Sequence, residues 1–85
     1  MQIRFTRHAE EKFVTLQRHG VKIYKDQVLN AIGRPEHLDS ISRAPLYVAQ
    51  VGLDVGHVLR VVYRIERDII VVITFYPGRK SHYEY

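Results

Sequence analysis

Residues 2–5 alternate polar and apolar side chains, which is the period of a short strand, and the period changes at Thr6. Beyond it Ala9, Phe13 and Leu16 recur at helical spacing. Thr6 is placed as an N-cap whose hydroxyl accepts from an exposed backbone N–H, and Glu10 and Glu11 fall in the first turn, where the helix dipole favours negative charge. Arg18 and His19 suit the opposite pole and Gly20 supplies a left-handed stop, so a helix is predicted over residues 7–19. Val28, Leu29 and Ile32 make a second, shorter stripe with Asp26 in its first turn. Gly33 and Pro35 end it, which gives a helix over residues 25–32.

After this the period shortens. Residues 36–41 fit either an edge strand or an irregular connection, and Arg43, Ala44 and Pro45 mark a loop. Three strands follow, over residues 46–51, 57–65 and 69–76, with a turn region at 52–56 and a connection at 66–68. With all three connecting residues in the loop, Ile65 faces Ile69 and Arg60 faces Thr74; a two-residue loop shifts that register. On the longer loop, His57, Leu59, Val61, Tyr63 and Ile65 point to the core. Val58, Arg60, Val62 and Arg64 point away from it, joined by Ile70, Val72, Thr74 and Tyr76. The predicted fold class is α+β: two N-terminal helices packed on an antiparallel sheet of three to four strands, in one domain spanning residues 1–85, with Phe13, Leu29, Val61 and Ile73 in its core.

Composition narrows the class. A chain of 85 residues has room for one core, and 46% hydrophobic with 26% charged residues is a globular balance. The most apolar run, residues 69–75, is far short of the roughly 20 residues of a membrane helix, so no membrane partner is expected. The N-terminus carries Gln2, Arg4, Arg7 and His8 in place of the apolar block of a secretory signal, which points to a cytoplasmic address. With no cysteine, disulfides and thiolate zinc sites are excluded. The net charge of +4 favours a polyanion or an acidic protein as partner.

The chemistry-bearing residues collect at one end of the sheet. Arg60, Thr74 and Tyr76 share a face beside the basic, aromatic tail that holds Arg79, Lys80 and Tyr83, and Arg64 lies on the same face. Guanidinium forks match phosphate oxygens and stabilise charge accumulating on a phosphodiester in its transition state, and a ring nearby can stack a base. The bland alternative is a solvated face in which Arg60 and Arg64 meet acidic neighbours such as Glu66 and Tyr76 is amphipathic filler. His8, in the first helical turn, suits general acid–base work, or else packs and hydrogen-bonds locally. His19, His37, His57 and His82 lack metal-ligand spacing, so no metal is expected. Ser40, Ser42 and Ser81 lack a nucleophile elbow, and Gly52 and Gly56 are followed by no Gly-Lys-Ser/Thr; no cofactor is expected.

A family resemblance adds to this. Phe5-Thr6-Arg7-His8-Ala9, the helix end Arg18-His19-Gly20-Val21, Pro35, Leu59-Arg60-Val61-Val62-Tyr63 and Val72-Ile73-Thr74-Phe75-Tyr76-Pro77 together resemble small domains with a Phe-x-x-His-Ala opening, similar to the BrnT and RelE/ParE toxins. The resemblance implies a RelE-like fold and a metal-independent endoribonuclease, the toxin of a toxin–antitoxin pair, with RNA as substrate and a cognate antitoxin as partner. The working groups of RelE-type toxins are strand arginines and C-terminal aromatic or basic residues, and Arg60, Arg79, Lys80 and Tyr83 occupy comparable places. Joined to the residues read above, this gives Arg60, His8, Tyr76, Arg79 and Tyr83 as catalytic candidates and Arg64, Thr74 and Lys80 as substrate-binding ones. The chain departs from the pattern at residues 74–77, where BrnT-like chains carry Ser-Ala-Arg. Two rivals remain: a non-catalytic protein- or nucleic-acid-binding module with the same fold, and a gyrase poison of the ParE branch.

Overall fold

Thr6 organises the first turn of the molecule. In the computed structural model, which describes residues 2–83, its hydroxyl accepts from the Ala9 N–H at 3.1 Å and donates to the Ile73 carbonyl at 3.1 Å. The N-cap thereby joins strand β1 (Gln2–Phe5) and helix α1 (Arg7–Arg18) to the last strand. Gly20, at a φ of 82°, closes α1: its N–H reaches the Gln17 carbonyl at 3.0 Å and that of Val21 reaches the Leu16 carbonyl at 2.9 Å. Helix α2 (Lys25–Gly33) begins with the Gln27 side chain accepting from the Tyr24 N–H at 2.7 Å.

The strands are β2 (His37–Asp39), β3 (Tyr47–Gly52), β4 (His57–Glu66) and β5 (Ile69–Arg79), and a 3₁₀ turn (Lys80–His82) follows. The sheet is therefore five-stranded, in the order β1-β5-β4-β3-β2. It is also mixed, because β1 runs parallel to β5, pairing Gln2 with Ile69 through Phe5 with Val72. This corrects the expected antiparallel sheet of three to four strands. A parallel pair needs a long connection, and the two helices with β2, β3 and β4 supply it between β1 and β5.

One face of this sheet meets the helices. Ala49, Val51, Leu59, Val61, Tyr63, Val72 and Phe75 pack there against Ala9, Ile23, Val28 and Ala31. Phe13 reaches in between Phe5, at 5.9 Å between ring centres, and Phe75, at 4.5 Å. Val61 is fully buried as expected, whereas Phe13, Leu29 and Ile73 are only partly so. Val28 and Ala31 take the innermost places on α2.

The β4–β5 hairpin corrects the predicted register twice. Its turn has two residues, Arg67 and Asp68, so Glu66 pairs with Ile69 and Ile65 with Ile70. Farther along, Val62 pairs with Thr74 and Tyr63 with Val72, which leaves Ile73 as a bulge with no partner. The short turn alone would put Thr74 and Tyr76 on the helix side; the bulge returns them to the face of Arg60. Ile70 and Val72, before the bulge, instead share the helix side with Ile65 and Tyr63. Arg60 consequently faces Tyr76 and not Thr74.

Candidate functional site

The sheet face away from the helices carries polar side chains in rows across the strands. Register aligns His37, Gln50, Arg60 and Tyr76 in one row and Asp39, Val48, Val62 and Thr74 in the next. Arg60 Nε donates to the Tyr76 hydroxyl at 3.1 Å, and Nη1 donates to Gln50 Oε1 at 2.5 Å. The guanidinium carbon lies 4.1 Å from the centre of the Tyr83 ring, within cation–π range. Arg60 and Gln50 are each only 6% exposed, so this polar group is buried on a face with no helix over it.

The tail provides the cover. The Lys80 N–H donates to the Gly56 carbonyl at 2.8 Å, and Gln50 Nε2 donates to the Tyr83 carbonyl at 3.0 Å. Gly78 makes the seat, because a Cβ built there would lie 2.5 Å from Tyr83 Cε2, closer than two carbons can approach. Beside the tail opens a cavity of about 410 Å³ lined by Glu36, His37, Gln50, Gly52, Lys80 and Tyr83.

The predicted residues separate into groups. Arg60 touches both Tyr76 and Tyr83, and Lys80 joins Tyr83 at the cavity. His8 and Thr74 form a second pair, His8 Nε2 lying 3.1 Å from Thr74 Oγ1 just past the point where β1 stops pairing with β5. Thr74 stands two residues from Tyr76 on the same face, so this pair borders the Arg60 cluster. Arg79 does not join: it pairs with His57, whose register follows the helix side. Arg64 does not join either; it lies four residues along β4, about 13 Å away at strand rise, with its guanidinium on Glu66.

Asp39 brings a carboxylate to the same face. The Ser42 hydroxyl, then the Ser42 and Ile41 amides, hold its pKa down at about 2 against some cost of burial, and the Arg60 charge adds a smaller pull. On the opposite side, the His57 ring lies 2.8 Å from Asp54 and is the main cause of that carboxylate's lowered pKa, ahead of the Gly56 amide. Among the described residues, no three His, Asp or Glu side chains gather into a group that would hold a metal ion. No helix among them is long and apolar enough to cross a membrane.

Gln50, His37 and Glu36 escaped the sequence pattern. Gln50 had a signal, being the one polar side chain in the run Leu46-Tyr47-Val48-Ala49-Gln50-Val51, where burial demands a partner. His37 and Glu36 had none, since their segment is three strand residues long and owes its place to pairing with β3. No family model matches the chain, and no curated protein or solved structure matches it either.

Proposed function

We propose that this is a cytoplasmic, RelE-like toxin-type domain that cleaves RNA without a metal ion and is held in check by a protein antitoxin. The observation that carries the reading is the row His37–Gln50–Arg60–Tyr76, capped by Tyr83 and flanked by Lys80. It combines a guanidinium, an ammonium, two phenols and an imidazole on one sheet face, and so offers both charge stabilisation and proton exchange to a phosphodiester. In the reaction the RNA 2′-oxygen attacks the adjacent phosphorus in line and loses its proton to a base. The bond to the 5′-oxygen breaks, and that oxygen receives a proton, leaving a cyclic phosphate and a 5′-hydroxyl. Arg60 and Lys80 would stabilise the charge on the phosphoryl oxygens. His37 in the cavity and His8 beside Thr74 are the imidazoles on this face, the side-chain class suited to general acid–base exchange.

A second reading has an observation of its own. Two donors of Arg60 are spent on Tyr76 and Gln50, and one face of the guanidinium is covered by Tyr83. A structural arginine is bound in that manner, which favours a non-catalytic protein- or nucleic-acid-binding module on the same scaffold. One assay separates the two. The purified domain incubated with RNA and a chelator should cleave it, and Arg60→Ala should slow cleavage about 10²- to 10³-fold, as loss of an oxyanion donor does. If RNA stays intact while the domain still binds RNA or a protein partner, the nuclease reading falls and the binding module replaces it.

A further inference from the structure

We propose that residues 80–83 are a built-in competitor for the nucleic acid, with Tyr83 holding against Arg60 the position of an unstacked nucleobase; single-stranded RNA would open the face by exchanging a base for this ring. The inference rests on the RNA reading above and adds to it a substrate class and a means of control.

Four observations converge on it. The Tyr83 ring lies over the Arg60 guanidinium at 4.1 Å, the contact that an unpaired base makes with an arginine plane in RNA complexes. Its seat is purpose-shaped, since only a residue without a Cβ at position 78 admits the ring so close. Hydrogen bonds through its backbone anchor the described part of the tail: the Gln50 amide to the Tyr83 carbonyl, and the Lys80 N–H to the Gly56 carbonyl. Neither involves the ring itself, which is held by its stack on Arg60, its seat on Gly78 and an edge contact with the His82 ring at 6.4 Å, so the ring can leave Arg60 without breaking a hydrogen bond to the sheet. Finally, Tyr83 and Lys80 line the cavity of about 410 Å³ beside Gln50 and His37, so a displaced ring has open space to enter and an incoming phosphate meets an ammonium at the rim.

A duplex cannot make the exchange, because its bases are already stacked and paired. Single strands are therefore the expected ligand class. While the tail is closed, apparent affinity is reduced by the fraction of molecules that are open.

The test is binding of a fluorescein-labelled single-stranded oligoribonucleotide, and of its duplex, to the full chain by anisotropy at fixed low salt. Tyr83→Ala removes the competitor, and Gly78→Ala evicts the ring without deleting it. Each should tighten single-strand binding, by about 5- to 150-fold if the whole stacking contact is released. Duplex binding should change little, and Tyr83→Phe, which keeps the ring, should gain less than Tyr83→Ala. Circular dichroism confirms that each variant is folded. If the wild type binds RNA but both variants bind equally or more weakly, Tyr83 is part of the binding platform, and the competitor proposal is overturned while the RNA reading stands. If neither the wild type nor any folded variant binds RNA, the RNA reading fails and takes this inference with it.

Discussion

Gln50→Ala removes the side chain that ties the helix-free face together. Gln50 accepts from the Arg60 guanidinium and donates to the Tyr83 carbonyl, and it is 6% exposed, so water replaces neither partner without disturbing the packing. A charge-assisted hydrogen bond contributes about 1.5–3 kcal/mol and a neutral one about 0.5–1.5, giving an expected loss of about 2–4 kcal/mol. For a domain of 85 residues the total stability is of the order of 4–13 kcal/mol, so the variant folds with a reduced margin. Urea unfolding followed by circular dichroism would show the midpoint falling by about 2 M or more at an m-value near 1 kcal/mol/M. Gln50→Glu restores an acceptor for Arg60 and loses the donor to Tyr83. It should therefore recover most of the stability while the tail amides of residues 80–83 shift in NMR spectra. A Gln50→Ala loss below about 0.5 kcal/mol at unchanged m would refute the network as a source of cohesion.

Three further outcomes are expected. Phe75→Ala, at a fully buried position 4.5 Å from the Phe13 ring centre, should cost about 3–5 kcal/mol in the same melts; a loss under about 1 kcal/mol would show that α1 packs loosely on the sheet. Arg67 turns the β4–β5 hairpin at a φ of 56°, so Arg67→Gly should relieve left-handed strain and stabilise by up to about 1 kcal/mol, and a destabilised variant would contradict this. Asp39, with its folded pKa held at about 2, contributes stability that is present above its unfolded value near 3.9 and is lost as pH falls from about 4 to about 2. Its carboxyl NMR titration should show a midpoint near 2 that rises in Ser42→Ala; a wild-type midpoint near the ordinary value would remove the turn as its cause.

Most of the fold was legible because it is built from local rules. Thr6, Gly20, Gly33 and Pro35 punctuate the helices by side-chain and backbone chemistry that acts within a few residues. What was hidden depends on distant partners. β2 is three residues of weak pattern that become a strand only against β3, and the parallel placement of β1 needs β5 to be known. The hairpin register was hidden by two opposing irregularities, a turn one residue shorter than read and a bulge at Ile73. Their cancellation explains why the grouping of Arg60 with Thr74 and Tyr76 survived a wrong pairing. Arg79 was grouped with the site through its place in the tail, and Arg64 through its face of β4. Strand alternation sends the first to the other face, and distance along β4 separates the second.

The parallel pairing of β1 with β5 also has a kinetic meaning. Thr6 bonds to Ile73 across 67 residues of chain, so the contact that completes the sheet closes one of the longest loops available to the domain. On the ribosome, at about 5–20 residues per second, β1 and α1 emerge several seconds before the strand they need. During that interval Ile3, Phe5 and Phe13 lack the β5 surface they pack on in the folded domain, and the nascent chain presents apolar side chains to whatever is nearby. Helix α1, at 12 residues, is marginal in isolation even with its own cap and stop, and β1 acquires a structure only when synthesis has passed the bulge.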